Sequence, residues 1–306
     1  MTAAPGRAGL PLEVTGLSKR FGPVQAVDGL TFTVPPGLVT GFLGPNGAGK
    51  TTTLRCLLGL VRPTSGRALV GGRPYAALDD PLRVVGAALE AASVHPGRSA
   101  RNHLLFLAQA ADLPSARVDE VLATVGITEY ADRRVGGYSL GMRQRLGLAQ
   151  ALLGDPAVLV LDEPANGLDP AGIAWLRGFL RSLAAEGRTV LISSHVLREV
   201  QQTVDEVVVI ARGRLVTQGR LADLESAQAS VLVRSPDRDR LAAALREARP
   251  AGSVTEEGAD AAHVTGWTTA EVGHLAHVCG VELHALADEP GDLERLFLEL
   301  TKERPR

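Results

Sequence analysis

The chain has 306 residues but only two cysteines, two methionines, two tryptophans and 4% aromatic side chains. Cys56 and Cys279 stand far apart and fit no zinc-ligand spacing, which excludes a disulfide scaffold and suits a reducing compartment. No apolar run reaches roughly 18 residues, so no bilayer-spanning helix is expected and the chain reads as soluble on its own. Residues 1–11 hold one arginine and no apolar stretch long enough for a secretory signal. Neither charge sign dominates: 32 basic residues face 34 acidic ones, which argues against a general nucleic-acid coat. Lysine is nearly missing, since among those 32 only Lys19, Lys50 and Lys302 are lysines. What is present, 45% hydrophobic and 22% charged residues, is globular in balance and long enough for one large domain or two ordinary ones.

Strand and helix signals alternate over the first two thirds. Strands are expected at residues 12–17, 30–34, 39–43, 84–89, 157–161, 189–193 and 207–211. Helices are expected at 51–60, 99–111, 115–125, 139–153, 171–185 and 195–202. This alternation implies parallel crossovers. After about residue 222 the texture changes. A strand at 231–233, a helix at 237–248, strands at 253–256 and 262–265, a helix at 269–278 and a strand at 281–286 give the order βαββαβ, a small ferredoxin-like unit. A last amphipathic helix at 292–301 aligns Leu293, Leu296, Phe297 and Leu300. His274, His277, Cys279 and His284 cluster in sequence without a closed metal-ligand set, and ordinary surface histidines are expected there.

The segment Gly44-Pro45-Asn46-Gly47-Ala48-Gly49-Lys50-Thr51 matches GxxxxGK[ST] in full, between an apolar strand and a helix. Its glycines permit turns that aim backbone N–H groups inward at phosphate oxygens, and the following helix adds its positive end. Lys50 is placed to reach terminal phosphates and the Thr51 hydroxyl to ligate Mg²⁺. A second apolar strand ends in Asp162-Glu163, where an α/β sheet gathers its ligands; Asp162 suits the metal shell and Glu163 the polarising of a water. Ser139 and Gly141 open a helix and read either as a second phosphate-binding device or as plain capping by Ser139. His195 stands at a strand exit, which favours a functional role over a structural one. Phe21, before a glycine, reads equally as a purine-stacking ring or as a core residue.

Taken together and in this order, these residues resemble the ATP-binding subunits of ABC transporters over residues 12–222. The runs YSLGMRQRLGLAQALLGDP and LDEPANGLDP are similar to the exporter branch associated with daunorubicin and bacitracin resistance, as is the ending at 293–301. The resemblance implies an α/β fold: a P-loop ABC ATPase cassette over 1–222, with a mixed core sheet and a helical signature subdomain, then a small α+β domain over 223–306. It implies ATP and Mg²⁺ as cofactors. Residues 44–52 look like the Walker A loop, adding Thr52 to Pro45, Asn46, Ala48 and the residues above. Residues 158–163 look like Walker B, residues 166–169 like the D-loop with Asp169, His195 like the switch histidine and Phe21 like the adenine-stacking aromatic. Glu90 stands where a metal-approaching glutamine is usual, and YSLGM replaces LSGGQ. The implied catalytic set is Lys50, Glu163 and His195; the implied metal set is Thr51, Asp162 and Glu90. Two copies would pack head to tail over two ATP molecules, with Ser139 and Gly141 acting on the other copy's nucleotide. A separate multi-span permease is the implied partner, nucleic acid is not, and the place is the cytoplasmic face of the membrane. The rivals are a soluble ABC ATPase acting on ribosomes or DNA, and a nucleotide-binding regulator without turnover.

Overall fold

A computed structural model describes residues 8–89, 94–196, 201–228, 230–249 and 252–289. The chain divides into two compact units, the first running to Gly219 and the second starting at Arg220.

The first unit carries two sheets. Strands β1 (Leu12–Phe21), β2 (Val24–Val34) and β4 (Ser65–Val70) form an antiparallel sheet in the order β2-β1-β4. A six-stranded sheet has the order β5-β6-β7-β3-β8-β9, from β3 (Val39–Leu43), β5 (Val85–Ala88), β6 (Val158–Asp162), β7 (Thr189–Ser194), β8 (Glu206–Ala211) and β9 (Arg214–Arg220). Its pairs from β5 through β8 are parallel. Every residue of β3, β6 and β7 is buried. That is the physical meaning of their continuous apolar runs: a central parallel strand has no face to give to water. Helix α1 (Lys50–Leu57) sends Leu54 and Leu57 into a core shared with Leu12, Leu30, Phe32 and Phe42, and the two phenyl rings stack at 5.2 Å.

Among the described residues this unit also carries the α-helices α2 (Pro81–Val84), α3 (Ala100–Ala110), α4 (Ala116–Thr124), α5 (Leu140–Leu152) and α6 (Pro170–Ala185). Ser99 caps α3 by accepting from the Asn102 N–H, whereas Ser115 makes no such bond at α4. The half-exposed β4 and β9 had no counterpart among the expected strands, because their apolar side chains are too few to show a period. The centre of the helix expected at 195–202, the whole of the one at 292–301, and Glu90 lie outside the described residues. Among the described residues, no helix is long and apolar enough to cross a membrane.

The second unit opens with α7 (Leu221–Gln228) and continues as β10 (Ser230–Arg234), α8 (Arg238–Ala248), β11 (Ser253–Glu257), β12 (Ala261–Thr265), α9 (Thr269–Val278) and β13 (Ala285–Glu289). Its antiparallel sheet has the order β11-β12-β10-β13, the split β-α-β-β-α-β arrangement. Val231, Val233 and Val264 of the sheet pack on Leu241, Leu245 and Val272 of the two helices. The strand expected at 281–286 is corrected to Ala285–Glu289. Val281 instead closes α9: its N–H donates to Ala276 O, and Gly280, in the left-handed region at φ 64°, donates to His277 O. This Schellman ending consumes the first apolar residue of the run, which is buried without being in a strand.

Candidate functional site

The carboxyl ends of β3, β6 and β7 lie side by side, with Leu43 paired to Ser194 and Asp162 to Ser193. The chain leaves β3 through Gly44 and enters α1 at Lys50. Gly49 precedes the helix at φ 104°, and a Cβ there would sit 2.4 Å from Ala26 O; a Cβ on Gly44 would sit 2.5 Å from Ile210 O. Only glycine fits either place. Asn46 and Gly47 form the exposed crown of the loop, Ala48 is buried beneath it, and Pro45 O accepts from the Ala48 N–H. No side chain caps α1 and no acidic residue occupies its first turn, so the positive helix end faces the loop uncompensated.

Lys50 is buried, with its ammonium donating to Gly44 O at 2.6 Å and lying 3.7 Å from Glu163 Oε1. Burial pulls its pKa below the ordinary lysine value, while the Glu163 and Asp162 carboxylates act in the opposite direction. Asp162 ends β6; its Oδ2 accepts from Thr51 Oγ1 at 2.7 Å and its Oδ1 from the Ser193 hydroxyl. Ser193 Oγ in turn accepts the Glu163 N–H at 3.0 Å. That bond helps hold Glu163 in the left-handed region, at φ 51°, where the chain turns sharply off the strand. Glu163 Oε2 then meets His195 Nδ1 at 2.9 Å.

Lys50, Thr51, Asp162, Glu163 and His195, all expected from sequence, thus form one connected cluster. Ser193 joins it and was missed. Its signal was available: two hydroxyl residues following the apolar run Val190-Leu191-Ile192, next to the strand that ends in Asp162. Thr52 is half-buried in the first turn of α1. Phe21 ends β1 with 49% of its surface exposed, which discards the core reading and leaves a ring open to a flat partner.

The signature residues stand apart. Ser139 caps α5 by accepting from the Met142 N–H at 3.2 Å, so the capping reading holds. Asp169 likewise caps α6, accepting from the Gly172 N–H at 2.7 Å. Gly141 approaches Gly167 O so closely that a Cβ would lie 3.1 Å from it, and half-exposed Leu140 rests on Gly167. No hydrogen bond or ion pair among the described residues links Ser139, Gly141 or Asp169 to the Lys50 cluster.

A glycine-shaped loop, an uncapped helix end and a buried ammonium, beside paired carboxylates, suit a polyphosphate and its hydrolysis. The ABC transporter family profile matches residues 27–166. The bacitracin transport ATP-binding protein BcrA of Bacillus licheniformis is 44% identical over 210 residues, 68% of this chain and 69% of its own. The chain belongs to the ABC transporter ATP-binding proteins. Other members similar to this ABC protein are the lantibiotic transport ATP-binding protein SrtF of Streptococcus pyogenes and the Nod factor export ATP-binding protein I of Burkholderia lata. SrtF is 36% identical, covering 68% of this chain and 90% of its own; the second is 41% identical, with 68% and 70% covered. A solved ATP-binding subunit of an ABC transporter superposes with a TM-score of 0.63 at 27% identity, over 70% of this chain and 91% of that one. The fold of the first unit is therefore the ABC ATPase cassette, and the protein binds and hydrolyses ATP as the nucleotide-binding subunit of a transporter. A separate profile, Domain of unknown function (DUF8746), matches residues 229–294 of this ABC protein.

Proposed function

We propose that this cassette powers export of a drug, antibiotic or lipid-like compound, as its relatives' names suggest: they serve bacitracin transport, lantibiotic transport and Nod factor export. The observation that carries the catalytic reading is the bonded chain Lys50–Glu163–His195 at the loop mouth. Glu163 takes the proton of the attacking water, and His195 holds its carboxylate in place. Lys50 serves the terminal phosphates, and the backbone from Gly44 to Thr52 cradles the rest. Phe21 stacks on the adenine.

Thr51 Oγ1 and Asp162 Oδ2 are hard oxygens 2.7 Å apart beside the loop, a donor pair that fits Mg²⁺. Mg²⁺ held there, with Glu90 nearby as the resemblance implies, would neutralise phosphate charge. Ser139, Gly141 and Asp169 act on nucleotide held by a second copy; within their own chain Ser139 and Asp169 cap their helices. The nucleotide-binding domain spans 1–222 and the accessory domain 223–306. The permease partner is a separate multi-span membrane protein, and it brings the cassette to the cytoplasmic face of the membrane. An apolar cavity of about 430 Å³, lined by Leu58, Leu60, Tyr75, Leu82 and Leu107, supports a protein partner, because Leu60 and Leu82 stay exposed at its rim.

Purification of the tagged full chain from its native membrane tests this. The expected companion is a multi-span protein whose transport of a substrate in vesicles stops with Glu163→Gln. Companions that are ribosomal or DNA-bound, with no membrane protein, would reject the proposal.

A further inference from the structure

The ring of Phe21 is open on one side and occupied on the other. Lys19 lies two residues earlier on β1, on the same face of the strand, and its ammonium sits 4.8 Å from the ring centroid. The same nitrogen donates to Arg62 O at 2.9 Å. The backbone around it is tied to the same loop, since Thr64 N–H donates to Ser18 O at 2.8 Å and Arg20 N–H to Thr64 Oγ1 at 3.0 Å. Three bonds therefore fix Lys19 against the segment that follows α1. A cation on one face of an aromatic ring draws π density towards itself. The opposite face is then depleted and better suited to an electron-rich purine.

The geometry points to Lys19 as the positioning residue of the base-stacking platform: tied to the segment that follows α1, it holds the Phe21 ring from one side and polarises its free face for the purine of a nucleoside triphosphate. This rests on the assignment of Phe21 as the stacking ring. Lys19 partners Arg62 O and the Phe21 ring and no residue of the cluster around Glu163, so its effect falls on base recognition.

The test uses the full chain, a fluorescent ATP analogue, and inorganic tripolyphosphate as a competitor that has no base. Lys19→Met keeps the aliphatic stem and removes the charge. It should weaken the ATP analogue by about two- to fivefold and leave tripolyphosphate competition at the parent value, with the kinetic loss in KM rather than kcat. Lys19→Arg should restore most of the affinity. In a Phe21→Ala background, Lys19→Met should add nothing. Parent affinity in Lys19→Met, an equal loss for tripolyphosphate, or an undiminished loss without the ring would each overturn the role of Lys19. A Phe21→Ala variant with parent affinity for the ATP analogue would instead remove the stacking assignment itself, so the two failures are told apart.

Discussion

The two halves of the nucleotide machinery are built differently. Around Lys50, six side chains from α1, β6, β7 and the residues that follow β6 and β7 hold one another, through contacts that run from Thr51 to Asp162 to Ser193 and from Lys50 to Glu163 to His195. Around Ser139, each polar group is spent on its own helix: Ser139 on Met142 N–H and Asp169 on Gly172 N–H. The first half is assembled within one chain. The second offers a helix end and close-packed backbone, and in the proposed function it acts on nucleotide held by a second copy.

The largest way to break the first half is Glu163→Gln. The amide keeps the shape and its contact with His195 but cannot accept a proton from water. Phosphate release should fall by roughly 100-fold or more while the fluorescent ATP analogue still binds. Turnover near the parent rate would remove Glu163 from the chemistry.

The second half is tested by mixing. Ser139→Arg should abolish hydrolysis by blocking the helix end, as Glu163→Gln does by another route. If the signature residues serve the other copy, a mixed pair regains one intact site, from the Glu163 of one chain and the Ser139 of the other. An equal mixture should recover roughly a quarter of parent activity, the share of intact sites in random pairs. No recovery would place both halves on one chain's own nucleotide. Ser139→Ala alone separates cap from ligand: a cap costs about 1 kcal/mol of stability and little else.

Smaller in effect, and aimed at the residue the sequence reading missed, is Ser193→Ala. It leaves Asp162 Oδ1 and the Glu163 N–H without their shared hydroxyl in a buried site. The expected cost is about 1–3 kcal/mol in urea unfolding, with a drop in turnover from a loosened Glu163. Its absence from the expectations is instructive. The phosphate loop was legible because eight contiguous residues carry its chemistry between a readable strand and helix. Asp162 and Glu163 were legible because they end a strand apolar at every earlier position. Ser193 acquires its role only from lying opposite Asp162, a partner 31 residues earlier, and no local pattern states which parallel strands become neighbours. Phe21 shows the same limit from another side: a single aromatic does not declare its exposure, which depends on the end of β1 lying beyond the core. In the second unit the alternation of β10, α8, β11, β12, α9 and β13 was readable. The start of β13 was not, because the Schellman closure at Gly280 and Val281 borrowed an apolar residue from it.

The smallest effect concerns the price of keeping Lys50 dry. Burial depresses its pKa in the folded chain, and the neighbouring carboxylates only partly oppose this. The unfolded chain therefore holds that proton more tightly. Between the depressed folded value and the ordinary value of 10.5, unfolding takes up a proton, so this group's contribution to stability rises with pH. Below that window the full cost is present. The urea midpoint of the parent minus that of Lys50→Met should therefore climb as pH is raised towards 10.5. Saturating ATP should flatten the climb, because phosphate charge at the ammonium favours its protonated form and restores the depressed value. A climb unaffected by nucleotide would mean that the phosphates do not reach Lys50, and the first half of the machinery would lose its central cation.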